Sequence, residues 1–360
     1  MSEAEQGAAT LGYRWPAEWE PHTATWLTWP HNRETWPGRL EAVERAFSEI
    51  VRVLSCHEIV RINVSSDAME ERVRILLGSR GLGENAQVEY AKIESDDAWV
   101  RDHGSIFVVG PGGDEQGELA ALNFGFNAWG GKYPPWDRDQ AIGQSMAKHL
   151  AVKAFTESWI LEGGSIDGNG LGAILTTKSC LLNSNRNPGP DGGPPSIEEV
   201  ERRLAKSLGA QRVHWLADGI VSDDTDGHID DIARFVASDR IVAAVERNTG
   251  DANHELLKAN WAALKELRDG RGQRYELVEL PMPPPIVVEG ERCPASYANF
   301  YIANNVVLVP TFDVPSDSLA LEILGECLPT REVVGIPSRD LVVGLGSVHC
   351  LTQQEPSPQS

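Results

Sequence analysis

Asp223-Asp-Thr-Asp-Gly-His-Ile-Asp230 is a dense polar island set directly before an apolar, β-branched run, Ile232–Val236. Its distance to other such islands decides how the chain is read. Glu162, in Leu161-Glu-Gly-Gly164, lies 66 residues before His228. Asp97, in Ser95-Asp-Asp-Ala-Trp-Val-Arg-Asp102, lies 65 residues before Glu162, and Thr28, in Trp26-Leu-Thr-Trp-Pro30, lies 69 before Asp97. In the other direction Asn299, in Ser296-Tyr-Ala-Asn-Phe300, follows His228 by 71 residues. Near-constant spacing points to one supersecondary unit of strands and a helix, repeated about five times, each repeat turning a polar loop to a common centre. Sequence similarity between the repeats is negligible, so ordinary α+β alternation with coincidental spacing stays open.

Helices and strands alternate between the islands. Leu40, Val43, Phe47, Ile50, Val51 and Leu54 recur at helical spacing. Ser196-Ile-Glu-Glu199 has the pattern of a capping box, and Gly209 closes the helix it opens. Further helices are expected over 253–269 and 317–328. Strands are expected at Ile59–Val64, Ile106–Val109, Ala173–Thr176, Ile232–Val236, Ile241–Val245, Tyr275–Val278, Val306–Val309 and Val333–Ile336. The Pro-rich stretches 188–195 and 281–285 read as loops. Residues 1–10 and 355–360 read as tails, leaving a single catalytic domain over 11–354.

The chain carries 53 acidic and 32 basic side chains, a net charge of −21. That argues against nucleic acid or an anionic membrane surface as partner, and permits a cationic small molecule. A hydrophobic content of 41% suffices for a packed core rather than disorder. The five cysteines, 56, 180, 293, 327 and 350, are scattered and form no CxxC pair, which excludes a zinc ribbon or thioredoxin-like motif. Met1-Ser-Glu-Ala-Glu-Gln lacks the basic and apolar regions of a signal peptide, and no apolar run approaches a membrane span. A soluble, cytoplasmic, reduced protein is expected.

Cys350 ends the run Val343-Gly-Leu-Gly-Ser-Val-His-Cys350 and precedes Leu-Thr-Gln-Gln354. The glycines and the polar flank suggest an accessible turn, so a nucleophile and a small buried apolar residue are both open readings. Cys56, Cys180, Cys293 and Cys327 read as small buried apolar residues. Two residues apart on a strand, His228 and Asp230 share one side. Proton transfer and a metal site both suit them, although no HExxH and no second nearby histidine is present. Glu162 is either a functional carboxylate or the exposed end of a strand, and Gly163-Gly164 allow something flat to approach the backbone. If residues 97–101 alternate along a strand, Asp97, Trp99 and Arg101 share a face; Asp97 beside Trp99 suits a planar cation, while Arg101 and Asp102 suit a structural pair. A Cys–His pair facing carboxylates is equipped to attack a cationic, planar electrophile such as a guanidinium.

Together these islands resemble the agmatine deiminases, within the bacterial peptidyl-arginine-deiminase-like branch of the guanidine-modifying enzymes. The stretches that carry the resemblance run in order along nearly the whole chain: Arg14–His22, Trp26–Pro30, Asp96–Asp102, Asn123–Gly130, Leu161–Gly164, Cys180–Pro188, Asp224–Asp230 and His349–Gln354. The resemblance implies an α/β fold, a five-fold pseudosymmetric α/β propeller (pentein) of ββαβ-type repeats around a central active site. It also implies hydrolysis of agmatine to N-carbamoylputrescine and ammonia, in putrescine biosynthesis or agmatine catabolism, with no metal and no cofactor. Cys350 is then the nucleophile, His228 the proton shuttle, Glu162 the carboxylate that orients it, and Asp97 and Asp230 the clamp on the guanidinium. Many relatives have Glu-Thr-Asp-Gly-His where this chain has Asp224-Thr-Asp-Gly-His, so Asp224 is the expected partner of the substrate's far amine, with Trp99 and Trp129 as walls. An arginine or peptidyl-arginine deiminase and a non-catalytic polyamine-binding protein are the alternatives; a homo-oligomer such as a dimer is compatible.

Overall fold

The helix Ile197–Leu208 shows how local signals set the elements. Ser196 is its N-cap, accepting from the Glu199 amide at 3.2 Å; Val200, Leu204 and Leu208 are buried, and Gly209 ends the helix at φ 73°. That left-handed conformation carries no Cβ penalty in glycine. In this computed structural model, which describes residues 7–83, 86–111 and 117–358, the helix bridges two parallel strands, Ala173–Thr177 and Arg212–Leu216. The first of these also pairs antiparallel with Ile166–Gly168.

The same order recurs. Ile106–Gly110, Glu118–Gly125 and Lys153–Ile160 form a sheet with the helix Asp137–Leu150 before the last strand. Ala233–Ala237, Arg240–Val245 and Glu276–Pro281 do so with the helix Asn253–Glu266. Tyr301–Ala303, Val306–Thr311 and Glu332–Pro337 do so with the helix Ser316–Cys327. Each sheet thus joins an antiparallel pair to a parallel strand, and a parallel neighbour requires a long crossover, here the helix. Apart from a small antiparallel hairpin of Val287–Val288 and Glu291–Arg292, the other sheet is assembled from both ends of the chain. Gln353–Pro356 pairs antiparallel with His22–Thr28, which runs parallel to Ile59–Val64 across the helix Leu40–Leu54. A further parallel strand, Val88–Lys92, extends it after the helix Asp67–Ser79. Among the described residues, no helix is long and apolar enough to cross a membrane.

Three expectations need correction. Residue 355 does not begin a tail: Glu355 is buried in the closing strand and accepts from Trp26 Nε1 at 2.8 Å and Arg61 Nε at 2.9 Å. Pro356 is tolerated because an edge strand can spare one N–H. Near the other end Ala8–Leu11 is a 3₁₀ turn with Ala8 fully buried, so the segment expected as a tail over 1–10 is already packed there; 1–6 and 359–360 lie outside the described residues. Lastly, residues 97–101 are no strand, since Val100–His103 is a single helical turn entered from Trp99 at φ −83°, ψ 63°.

The topology also re-dates the spacing. Val100–His103, Gly163–Ser165, Ile229–Asp231, Asn299 and Cys350 each sit just before the first strand of a sheet. The fifth member of the series is therefore Cys350 rather than Thr28, because the C-terminus supplies the first strand of the sheet that contains Thr28.

Candidate active site

The turns that precede these first strands deliver polar side chains that meet one another. Cys350 Sγ lies 3.2 Å from Asn299 Nδ2 and 3.7 Å from Asp230 Oδ2. Asn299 Oδ1 in turn accepts from the His349 amide at 3.0 Å and Ser347 Oγ at 2.9 Å, which fixes the turn that carries the cysteine. Cys350 is buried, not accessible as the flanking glycines suggested. At Gly346 a Cβ would stand 2.6 Å from the Trp99 ring and 3.2 Å from Cys350 Cβ. This glycine leaves room for the Trp99 ring beside the turn of Cys350, and Trp99 packs on Trp36 with ring centroids 5.3 Å apart.

Gly164 marks the centre. A Cβ there would lie 2.6 Å from His228 Nδ1 and 2.9 Å from both Asp102 Oδ1 and Asp230 Oδ2. One imidazole and two carboxylates thus converge on a point where only glycine fits. His228 and Asp230 reach it from a 3₁₀ turn, Ile229–Asp231, instead of from a strand. Asp102 accepts from the Gly164 amide and from Trp129 Nε1, both at 2.9 Å, and stands 3.8 Å from His228 Nδ1.

The electrostatics follow from burial among like charges. Burial pushes the Cys350 thiol well above its ordinary range, and Asp230, Asp231 and Asp102 push it further. Burial likewise raises Asp102, with His228 opposing. Burial opposes a charged His228, yet Asp102, then Cys180 and Asp230, outweigh it and hold the imidazolium well above the usual histidine value. Asp230 is depressed despite burial, chiefly by His349.

Other expected residues land elsewhere. Asp97, expected as the second clamp carboxylate, is turned away: it accepts from Thr35 Oγ1 and the Ala98 amide, and burial raises it to about 6. Asp102, for which a structural pair with Arg101 and a binding role were both open, is the carboxylate that the helical turn brings to Gly164 and His228. Arg101 instead donates to Gln354 Oε1 at 2.7 Å and pairs with Glu18 at 3.4 Å. Glu162 is fully buried, its Oε1 accepting from Arg186 Nε at 2.8 Å. Asp224 is engaged by Tyr133 and by Lys132, whose Nζ lies 3.3 Å from its Oδ1 and 2.9 Å from Asp226 Oδ1. Cys180 is buried as expected and lies beside His228, whose imidazolium it helps to favour; Cys56 is exposed, not buried. Arg186, Lys132 and His349 were missed, and only the proximity of His349 to Cys350 in sequence could have pointed to one of them.

Glu162, Cys180 and His228 could by distance hold a metal, with ligand atoms within 4.8 Å of one another. Glu162 already faces the Arg186 cation, so an ion would have to share that carboxylate with a guanidinium.

Residues 14–356 match the model of the Porphyromonas-type peptidyl-arginine deiminases. The chain belongs to that family. Within it, the agmatine deiminase of Pseudomonas aeruginosa (strain LESB58) is 34% identical over 382 residues, covering all of both chains. Among solved structures, an agmatine deiminase of Enterococcus faecalis superimposes with a TM-score of 0.86 at 32% identity, over 96% of each chain. A cysteine-to-serine form of the C. jejuni agmatine deiminase, with substrate bound, gives 0.84 at 31% identity, over 95% of this chain and 96% of that one. The α/β fold expected for peptidyl-arginine-deiminase-like enzymes is thereby established for this one.

Proposed function

We propose that this protein is an agmatine deiminase, converting agmatine and water to N-carbamoylputrescine and ammonia through a covalent intermediate on Cys350. The observation that carries the reading is the convergence of the His228 imidazole, Asp102 and Asp230 on Gly164, with Cys350 Sγ beside Asp230. Full-length similarity to agmatine deiminases supports the choice of substrate.

A guanidinium is resonance-stabilised and a poor electrophile. Asp102 and Asp230 hold its N–H groups, localise its positive charge and set its carbon against Cys350 Sγ. The cation also lowers the thiol's pKa, so the thiolate forms with substrate present. Sulfur adds to carbon, and His228 protonates one nitrogen, which leaves as ammonia. The S-alkyl thiouronium that remains is attacked by water as His228 takes its proton, and the C–S bond breaks to release the ureido product and the thiolate. Glu162, anchored by Arg186, sets the position of the His228 ring. Trp99 and Trp129 wall the substrate. Asp224, with Lys132 beside it, faces the substrate's far amine. The same reading puts the protein in the reducing cytoplasm, where Cys350 stays a free thiol.

The test is turnover of agmatine, free arginine and a blocked arginine peptide, with ammonia and ureido product measured. Arginine's α-carboxylate would enter a region rich in acids, so agmatine is expected to be preferred by at least roughly 10²-fold in kcat/KM. Comparable turnover of arginine would overturn the substrate assignment, and no ammonia from any of the three would overturn the deiminase reading.

A further inference from the structure

Behind Asp230 lies a polar cluster that the reaction above leaves unused. His349, the residue before the nucleophile, is buried and points both ring nitrogens at carboxylates: Nδ1 is 2.7 Å from Asp230 Oδ2, and Nε2 is 2.8 Å from Glu18 Oε2. A neutral imidazole has one N–H, so one of these contacts would set a ring lone pair against a carboxylate lone pair. Both contacts are hydrogen bonds only if the ring carries two protons, or if a carboxylate is protonated. The surroundings favour the first. Glu18 also meets Arg234 Nη2 at 2.9 Å and Arg101 Nη2 at 3.4 Å, and Arg234 Nε meets Asp167 Oδ1 at 2.7 Å. These are three carboxylates, Glu18, Asp167 and Asp230, among two arginines, and a protonated His349 supplies the third cation. Burial would raise Glu18, but Arg234 and His349 hold it well below the usual carboxylate range, which keeps it an acceptor.

We propose that His349 is a buried imidazolium that positions Asp230: it ties Oδ2 to the fixed Glu18–Arg234–Arg101 cluster and leaves Oδ1 as the acceptor for the substrate's guanidinium. Asp230 Oδ1 is buried and has no hydrogen-bond partner among the described residues. Such an oxygen is costly unless a donor arrives, and the guanidinium brings one. The arrangement also explains how Asp230 stays ionised beside Asp102 and Asp231, which would otherwise push its proton affinity up. His349 therefore acts through Asp230 and touches neither the substrate nor the reacting atoms. Further titratable groups near Asp230 are His228 and the Cys350 thiol, and Arg101 Nε donates to the His349 carbonyl at 3.3 Å.

The kinetic part of the test rests on the deiminase reading; the spectroscopic part does not. In protein labelled with ¹⁵N-histidine, with the resonance assigned by its loss in His349→Asn, both ring nitrogens are expected to be protonated at neutral pH, as the two carboxylate contacts require. A ring protonated on one nitrogen at neutral pH would overturn the proposal, whatever the variants do. With agmatine, His349→Asn is expected to lower kcat/KM about 10²-fold, mostly through KM, but less than about 3-fold when Asp230 is already Asn, since coupled residues are not additive. Equal losses in both backgrounds would indicate a general structural role and sink the idea. A wild-type enzyme inert toward agmatine would instead count against the deiminase assignment, leaving the ring's protonation to be judged on its own.

Discussion

At the scale of single residues, the decisive pair is Asp97 and Asp102. Both are buried or nearly so among polar neighbours, and both have raised pKa values, so charge alone does not separate them. Geometry does. Asp102 shares the point above Gly164 with His228 and Asp230, whereas Asp97 is spent on Thr35 and its own neighbouring amide. Asp102→Asn should keep the shape and the Trp129 contact while removing the charge that localises the guanidinium. A loss of about 10²–10³-fold in kcat/KM for agmatine is expected, the range found when one transition-state contact is removed. Asp97→Asn should cost less than about 10-fold, within what loss of a neighbouring hydrogen bond allows. Steady-state kinetics on the two purified variants checks the order, and the reverse order would return the clamp to Asp97.

Among the elements, the closing strand Gln353–Pro356 has the largest structural consequence for its size. It carries Gln354 to Arg101 and Glu355 to Trp26 and Arg61, so the sheet at the chain ends is pinned by buried polar contacts as well as by its ladder. Glu355→Ala strands the buried Trp26 N–H and leaves the mostly buried Arg61 guanidinium with Glu89 alone as its carboxylate partner, near the surface. A loss of about 3 kcal/mol in unfolding free energy is expected for breaking a mostly buried pair from one side. Urea unfolding followed by tryptophan fluorescence measures it. An unchanged midpoint would mean that this sheet does not depend on the C-terminal strand's side chains. The Val100–His103 turn is the other short element that matters, because one helical turn turns Arg101 inward to the Glu18 cluster and Asp102 to the active centre.

For the whole molecule, the chemistry at Cys350 is set by charges gathered from separate sheets. Asp102 comes from one turn and Asp230 and Asp231 from another, and together with burial they keep the thiol protonated. The sign is fixed: a raised thiol pKa means little thiolate at neutral pH without substrate. Alkylation of Cys350 by neutral iodoacetamide should be slow at pH 7 and climb only above pH 9, while a cationic haloacetamidine, which mimics the guanidinium, should react far faster at pH 7. Peptide mapping of the modified cysteine over a pH series reads this directly. Rapid reaction with iodoacetamide at pH 7 would show a preformed thiolate and remove the substrate-assisted step.

Much of this was legible without coordinates. Local signals were enough for the elements with strong periodicity or caps: the helix closed by Gly209, the helix beginning at Leu40, and the strand Ile59–Val64 at its expected bounds. Such signals arise from neighbouring residues, which a sequence lists side by side. Spacing suggested about five repeated units but put Thr28 in one of them, since no linear spacing can show that the strand after Cys350 pairs with the one that holds Thr28. His228, Asp230, Glu162 and Cys350 stood out in the sequence as polar candidates, with their roles implied by the family resemblance, and the fold brings them close together. Only the fold decided that Asp102 and not Asp97 meets them, that Arg186 holds Glu162 and that His349 grips Asp230. Those choices depend on which way a single turn faces and on contacts between residues as far apart as Glu18 and His349, and neither is encoded in local pattern.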